Sequence, residues 1–311
     1  MTGTGQIMEE LARRGGVAGW GALVQVAGRA TVERAVAGGE VVRVARGVLG
    51  LAGTAPAVLA AASVHGTVSH VSAAQLWMVE TLRRPTKVSV TVPRHAHRRP
   101  VPGVLLHYAD LCGGDVAGPV TAPVRTVLDC ARTLPFGEAL GIADGFLRLG
   151  LVDPGDLRAE AAGLRGPGSS AALRVARAAD ARSDNPFESA LRAVVMLCGA
   201  GDFVPQVSLR LPGHGLVRPD LLDLGRRIAL EADSFRWHGS RAALVRDCER
   251  YDALVVAGFC VLRFTWEQVV GRPDEVAVAV RTLVSLADER SGSTRGGRRG
   301  RPGHGRSSDL R

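Results

Sequence analysis

The order of periodic segments in the last third of the chain constrains the fold most. From residue 184 onward the pattern is an amphipathic helix, three strands, a second helix, an apolar strand and a last helix. The apolar run Phe259–Phe264 is typical of a strand that is buried on both faces. This order predicts a mixed β-sheet flanked by helices for residues 181–288.

The three predicted strands are Phe203–Leu209, Leu216–Asp223 and Arg227–Asp233, and acidic residues lie within the last two. Side chains alternate along a strand, so Glu231 and Asp233 share one face. Asp220 lies beside them if the two strands form a hairpin. Three neighbouring carboxylates repel one another unless a cation is present, and their hard oxygen atoms suit Mg²⁺ or Mn²⁺. The spacing therefore predicts a metal site at this hairpin.

The residues Pro219-Asp220 and Glu231-Ala232-Asp233 resemble the PD-(D/E)xK motif of restriction-endonuclease-like nucleases. The stretches LEADSFRWHGS and RDCERYDALVVAGFCVLRFTWEQV resemble a family related to very-short-patch repair endonucleases, over residues 184–271. The resemblance implies Mg²⁺- or Mn²⁺-dependent hydrolysis or nicking of DNA, with Asp220 and Glu231 as metal ligands. The catalytic positions that it implies are Asp220, Glu231, Asp233, the turn histidine His238 and the helix carboxylate Glu188.

Two residues depart from this family pattern. Asp233 stands where the motif has its lysine, and Lys87 is the only lysine of the chain. His238 or Arg236 would therefore have to orient the water or stabilise charge. Ser234 replaces a glycine that is usual in the family. The alternative hypothesis is a non-enzymatic, antitoxin-like transcriptional regulator that retains a degenerate nuclease fold.

Residues 1–55 have the periodicity of three short helices and a hairpin, which predicts a winged helix-turn-helix. This segment is similar to the winged helix of AbiEi-type antitoxins. The third helix of such a unit enters the major groove and the wing contacts the backbone. The DNA-facing residues predicted on this basis are Arg29, Thr31, Arg34, Arg43 and Arg46. The acidic Glu33 weakens the pattern, and a small helical protein-interaction module is the alternative.

Residues 56–180 alternate helices and strands and predict an α/β middle region. Its predicted elements include a strand at Val104–Tyr108 and helices that begin at Pro56, Pro123 and Pro154. The phrases SHVSAAQLW, VSVTVPR and VTAPVRTVLDCAR resemble the companion segment of AbiEi-type proteins and carry no catalytic residue. His95, His97 and His107 raise the question of a metal cluster. They lack ligand spacing on one fixed element, which favours a solvated turn.

The net charge of +9 permits nucleic-acid binding but is unevenly distributed. Residues 289–311 contain seven arginines against two acidic residues, so this predicted disordered tail holds +5 and the rest of the chain +4. The whole chain is therefore predicted to be a multidomain α/β protein that binds DNA. A toxin partner is left open by the antitoxin resemblance.

No apolar run is long enough for a membrane span, and the first residues lack the apolar core of a signal peptide. The five cysteines are odd in number and scattered, which indicates neither a disulfide framework nor a thiolate zinc site. We therefore expect a cytoplasmic protein without membrane contact.

Overall fold

The structure is a computed structural model that describes residues 3–233 and 241–296. The chain divides into two compact units, residues 1–190 and 191–311. Both contain helices and mixed or antiparallel β-sheet, so the chain has a multidomain α/β fold. None of the helices in the described ranges has the length and apolar character that a bilayer crossing demands.

The first unit begins with three helices and a three-stranded antiparallel sheet. Their bounds are α1 Gly3–Arg13, β1 Val17–Gly19, α2 Trp20–Ala27, α3 Arg29–Ala37, β2 Val41–Ala45 and β3 Val48–Leu51. The strands lie in the order β1-β3-β2. Ile7, Leu11, Leu23 and Val32 pack with the hairpin residue Leu49 in a core of their own.

The short link between α2 and α3 is a single residue, Gly28. Its amide donates to Val24 O at 2.9 Å to close α2, and its carbonyl accepts from Val32 N at 3.2 Å to start α3. Gly28 has φ +77° and ψ 152°, a combination that favours glycine. This turn sets the angle between the two helices.

A five-stranded mixed sheet with order β6-β5-β4-β8-β7 follows in the same unit. Its strands are β4 Thr67–Val68, β5 Val88–Val92, β6 Val104–Tyr108, β7 Val116–Ala117 and β8 Val120–Thr121. The helices around it are α4 Pro56–Ser63, α5 His70–Leu76, α6 Pro123–Thr133, α7 Phe136–Arg148, α8 Pro154–Gly163 and α9 Ser169–Ala178. β5 and β6 are parallel, and β6 is an edge strand.

The second unit contains a four-stranded mixed sheet with order β14-β13-β12-β9 and a separate hairpin, β10-β11. The strands are β9 Val204–Pro205, β10 Leu209–Leu211, β11 Gly215–Val217, β12 Leu221–Asp223, β13 Ile228–Asp233 and β14 Cys260–Thr265. The helices are α10 Pro186–Cys198, which crosses the division between the units, α11 Arg241–Val256 and α12 Pro273–Gly296. β13 is antiparallel to β12 and parallel to β14.

Three features differ from the sequence-based expectation. The strand expected to be buried on both faces is β14, which lies at the edge of its sheet and has mostly half-buried or exposed residues. The long strands expected at 203–209 and 216–223 are each divided in two. Residues near 206 and 218 leave the β-ladder, and β10 and β11 pair with each other as a separate hairpin. The last helix continues through Gly296, so residues 289–296 of the expected disordered tail are helical. Residues 297–311 lie outside the described residues.

Candidate functional site

The third helix carries three of the residues predicted to face DNA and exposes two of them. Val32 and Ala35 point into the core, which leaves Arg29, Glu33 and Arg34 exposed on the opposite face. Two cations and one anion therefore share the exposed face of α3.

Thr31 is only half-buried on this helix and lies against the start of α1. A Cβ built on Gly3 would stand 2.8 Å from Thr31 Cγ2, so the two helices approach closely here. Arg34 donates to the Thr31 hydroxyl at 3.5 Å. Thr31 is thus engaged within the fold to a greater degree than the arginines beside it.

The hairpin β2-β3 carries the two remaining predicted DNA contacts. Arg43 and Arg46 are exposed, and the Arg43 guanidinium lies 5.4 Å from the centre of the Trp20 ring. The pairing of β2 with β3 is irregular between Arg43 and Ala45. A cation at this distance from an aromatic face is attracted by the ring, so Trp20 helps to position Arg43.

In the second unit, Asp220 lies just before β12 and is bonded to its neighbours. Its carboxylate accepts from Ala232 N at 2.8 Å and from the Gln206 side chain at 3.2 Å. The register pairs Leu221 with Leu230, which brings Asp220 beside Glu231. Asp220 thus ties the start of one strand to the end of the next.

Glu231 is buried and paired with an arginine from α11. Its Oε1 accepts from Arg250 at 2.7 Å. Burial raises the pKa of the Glu231 carboxyl above its ordinary value, although the Arg250 charge acts in the opposite direction. Asp220 and Asp247 are near enough for their charges to act on Arg250 as well. Arg250 is therefore the cation that interacts with the three carboxylates Asp220, Glu231 and Asp247.

Asp233 has its own arginine partner on the neighbouring parallel strand. Arg263 lies opposite Glu231 in the register and its guanidinium is 2.7 Å from Asp233 Oδ2. The same guanidinium is 5.7 Å from the centre of the Tyr251 ring. Both side chains of the pair are about one-third exposed.

This donor set does not fit a divalent cation as it is arranged. Glu231 and Asp233 have guanidinium partners, and Asp220 has a backbone and an amide donor. A cation would have to displace these bonds, because hard cations take several oxygen ligands at about 2.0–2.6 Å. In the ranges 3–233 and 241–296, no group of three or more His, Cys, Asp or Glu side chains is placed to hold a metal.

The helix carboxylate Glu188 lies in the first unit and caps α10. It accepts from Asp184 N at 2.8 Å and from the Asn185 side chain at 2.7 Å, while Asn185 Oδ1 accepts from Phe187 N and Glu188 N. These reciprocal bonds satisfy free amides at the start of the helix. The structure therefore gives Glu188 a structural task at this position.

Three residues of the expected catalytic turn, Ser234, Arg236 and His238, lie outside the described residues. Of the histidines considered for a metal cluster, His107 stacks on His70 with ring centres 3.6 Å apart. His95 and His97 are exposed on the loop between β5 and β6.

Sequence reasoning missed the two arginines that neutralise the carboxylates. The i, i+3 spacing of Asp247 and Arg250 predicts a pair along one helix, but their atoms are 3.8 Å apart and the shorter bond is to Glu231. The pairing of Arg263 depends on the parallel register of β13 with β14, which no spacing along the chain reveals. A charged residue within the apolar run Phe259–Phe264 is the one signal that could have indicated it.

Comparison with known proteins gives few relatives. No protein-family profile matches the chain. It is 29% identical over 163 residues to the proteins described as uncharacterized, Rv2248 and MT2308, of Mycobacterium tuberculosis strains H37Rv and CDC 1551. The match covers 51% of this chain and 59% of the length of those relatives.

Among solved structures, a likeness is found to the RV2827C protein of Mycobacterium tuberculosis. It covers 68% of this chain and 89% of that chain, with 14% identity and a TM-score of 0.32. A score this low establishes no shared fold.

Proposed function

We propose that this chain is a DNA-binding protein that docks on duplex DNA through an N-terminal winged helix-turn-helix. The observation that carries the proposal is the order α1-β1-α2-α3-β2-β3 with its three-stranded sheet and the one-residue turn at Gly28. Exposed arginines on α3 and the hairpin provide the charge. In this arrangement a recognition helix enters the major groove and a hairpin contacts phosphates.

The second unit is proposed to be a PD-(D/E)xK-like body that acts as a binding scaffold in an antitoxin-like transcriptional regulator. Support comes from the guanidinium groups of Arg250 and Arg263, which satisfy Glu231 and Asp233. The absence of the motif lysine agrees with this role. Five free cysteines are compatible with the reducing cytoplasm. A toxin partner stays a prediction of the antitoxin resemblance.

The test of DNA docking is fluorescence anisotropy of a labelled duplex with the full chain. We expect Arg29→Gln/Arg34→Gln to weaken binding at least about tenfold. The slope of log affinity against log salt should become shallower by about 0.9 for each lost phosphate contact. The matched control is Arg158→Gln/Arg177→Gln, which removes the same charge from exposed positions on α8 and α9. Equal affinity of the two double variants would refute docking through α3.

A second candidate is metal-dependent DNA cleavage, favoured by the position of Asp220 beside buried Glu231. A plasmid-nicking assay with Mg²⁺ or Mn²⁺ on duplex, single-stranded and mismatched DNA distinguishes the two. Cleavage that Glu231→Ala abolishes while DNA affinity persists would establish the enzyme. Intact plasmid under all these conditions is the result that the regulator predicts.

A further inference from the structure

The loop between β5 and β6 in the first unit forms an open pocket of about 530 Å³. Its polar lining consists of Arg94, His95, His97, Arg98, Arg99 and Tyr108. None of these residues belongs to the proposed winged helix, and none is one of the carboxylates Asp220, Glu231 and Asp233. Pockets of roughly 300–1,000 Å³ are the usual size for small ligands.

The loop is anchored at both ends and in its middle. At its first end Arg94 N donates to Asp110 Oδ1 at 3.0 Å, and at its second end Gly103 O accepts from Val88 N at 2.8 Å. Between them, Ala96 N donates to Pro93 O at 2.8 Å, and the Ala96 methyl packs against the apolar core below the sheet. The basic side chains on either side of Ala96 are therefore held near one place before any ligand arrives.

The charge of the pocket is positive after internal pairing is counted. Three arginines line it, and the Asp110 carboxylate lies 3.7 Å from Arg94 Nε, so two positive charges remain without counting histidine. The Nε of Arg98 is buried and, within the part of the chain that the structure describes, has no hydrogen-bond partner. A buried donor without an acceptor is costly, so a ligand acceptor that reached this nitrogen would stabilise the loop.

We propose that this pocket binds a phosphate group. Guanidinium groups donate in a planar fork that matches phosphate oxygens, and the imidazoles and the Tyr108 hydroxyl add further donors. The phosphate is carried either by the backbone of bound DNA, which rests on the proposed function, or by a small phosphorylated ligand, which does not.

The first arm of the test is calorimetric titration of the full chain with inorganic pyrophosphate. Wild type should bind, and Arg98→Gln/Arg99→Gln should weaken binding at least about tenfold, because each lost charge-assisted bond is worth about that factor. Arg158→Gln/Arg177→Gln, with the same loss of charge elsewhere in the unit, should bind like wild type. Thermal melts of the variants check that the fold is retained. Absence of pyrophosphate binding by wild type, or equal loss in both double variants, would overturn the proposal.

The second arm separates the two sources by measuring affinity for a labelled duplex. If the phosphate belongs to DNA, Arg98→Gln/Arg99→Gln lowers duplex affinity and pyrophosphate competes with the duplex. If duplex affinity matches the control while pyrophosphate binding is lost, a small phosphorylated ligand is the source. Failure of DNA docking through α3 is seen separately, because that test changes only Arg29 and Arg34.

Discussion

Arg250 on α11 donates to the carboxylate of Glu231, which is the last buried residue along β13. A buried charge without its partner is costly, whereas an ion pair near solvent contributes little. Arg250 is about one-third exposed, but Glu231 is only 7% exposed. Loss of the pair is therefore costly mainly because it leaves the Glu231 carboxylate buried without its cation.

Replacement of Arg250 by alanine should leave Glu231 buried beside Asp220 and Asp247. We expect the free energy of unfolding at pH 7 to fall by about 3 kcal/mol, the lower end for a broken buried pair. The control is Arg263→Ala, which breaks the more exposed pair with Asp233 and should cost about 1 kcal/mol or less. Urea unfolding followed by circular dichroism measures both. Equal losses would show that Glu231 does not depend on Arg250.

The stacked pair of His70 and His107 makes the stability of the first unit depend on pH. Burial lowers the pKa of His70 to about 3, with a smaller effect from the His107 charge, against an ordinary value of 6.5. Because the unfolded chain binds this proton more readily, the stability that His70 provides is complete above pH 6.5. It is lost progressively as the pH falls towards 3.

His70→Asn should flatten this dependence, since asparagine does not titrate. His70 has φ +51°, a left-handed conformation that asparagine tolerates better than most residues. The measurement is the free energy of unfolding, derived from thermal melts, from pH 7 to pH 4. Its slope against pH should differ between wild type and variant by up to about 1.4 kcal/mol per pH unit. Parallel curves for variant and wild type would show that His70 is not the group responsible.

At the scale of elements, Gly66 allows α4 to turn directly onto the sheet. A Cβ there would stand 2.4 Å from Val90 Cγ1 and 2.8 Å from the Thr91 carbonyl oxygen. Gly66→Ala should therefore lower the unfolding free energy by about 1–3 kcal/mol, as overpacking does. Gly114→Ala is the control, because a Cβ there meets nothing within 4 Å. A melting temperature for Gly66→Ala as high as the control's would contradict this packing.

Helices and strands that are long enough to show a full period of the hydrophobic pattern could be predicted from the sequence, and shorter ones could not. The sequence predicted strand Val104–Tyr108 at its observed bounds, and helices that begin at Pro56, Pro123 and Pro154. The strands β4, β7 and β8 have two residues each, which is too short for an alternating pattern. Their pairing is set by neighbours distant in the chain, as with Val68 and Val120.

The same limit applies to the candidate site. Alternation along one strand predicted that Glu231 and Asp233 share a face, and a hairpin predicted that Asp220 lies near them. What compensates their charge depends on a helix and a parallel strand that follow later in the chain. The metal was inferred because a cation was needed, and local spacing could not show that arginines are placed to supply it.

At the scale of the whole molecule, the positive charge is divided between residues 1–296 and residues 297–311. Deletion of residues 297–311 removes five arginines and one aspartate, and so four of the nine net charges. We expect weaker non-specific duplex binding and a shallower salt dependence, because fewer counterions are released. The additional loss caused by Arg29→Gln/Arg34→Gln should persist in the shortened chain, measured by anisotropy. Complete loss of binding on deletion would place DNA docking in residues 297–311 rather than on α3.

The parallel pairing of β13 with β14 also has a kinetic consequence. β13 ends at Asp233 and β14 begins at Cys260, so a long loop must close and α11 must form before their ladder can. The hairpin β2-β3, by contrast, pairs residues close in sequence, from Val41 with Leu51 to Ala45 with Val48. Low contact order speeds folding, so this hairpin should acquire its protected amides before β13 and β14 do. The carboxylates and their arginines should then meet only in the late stages of folding of the second unit.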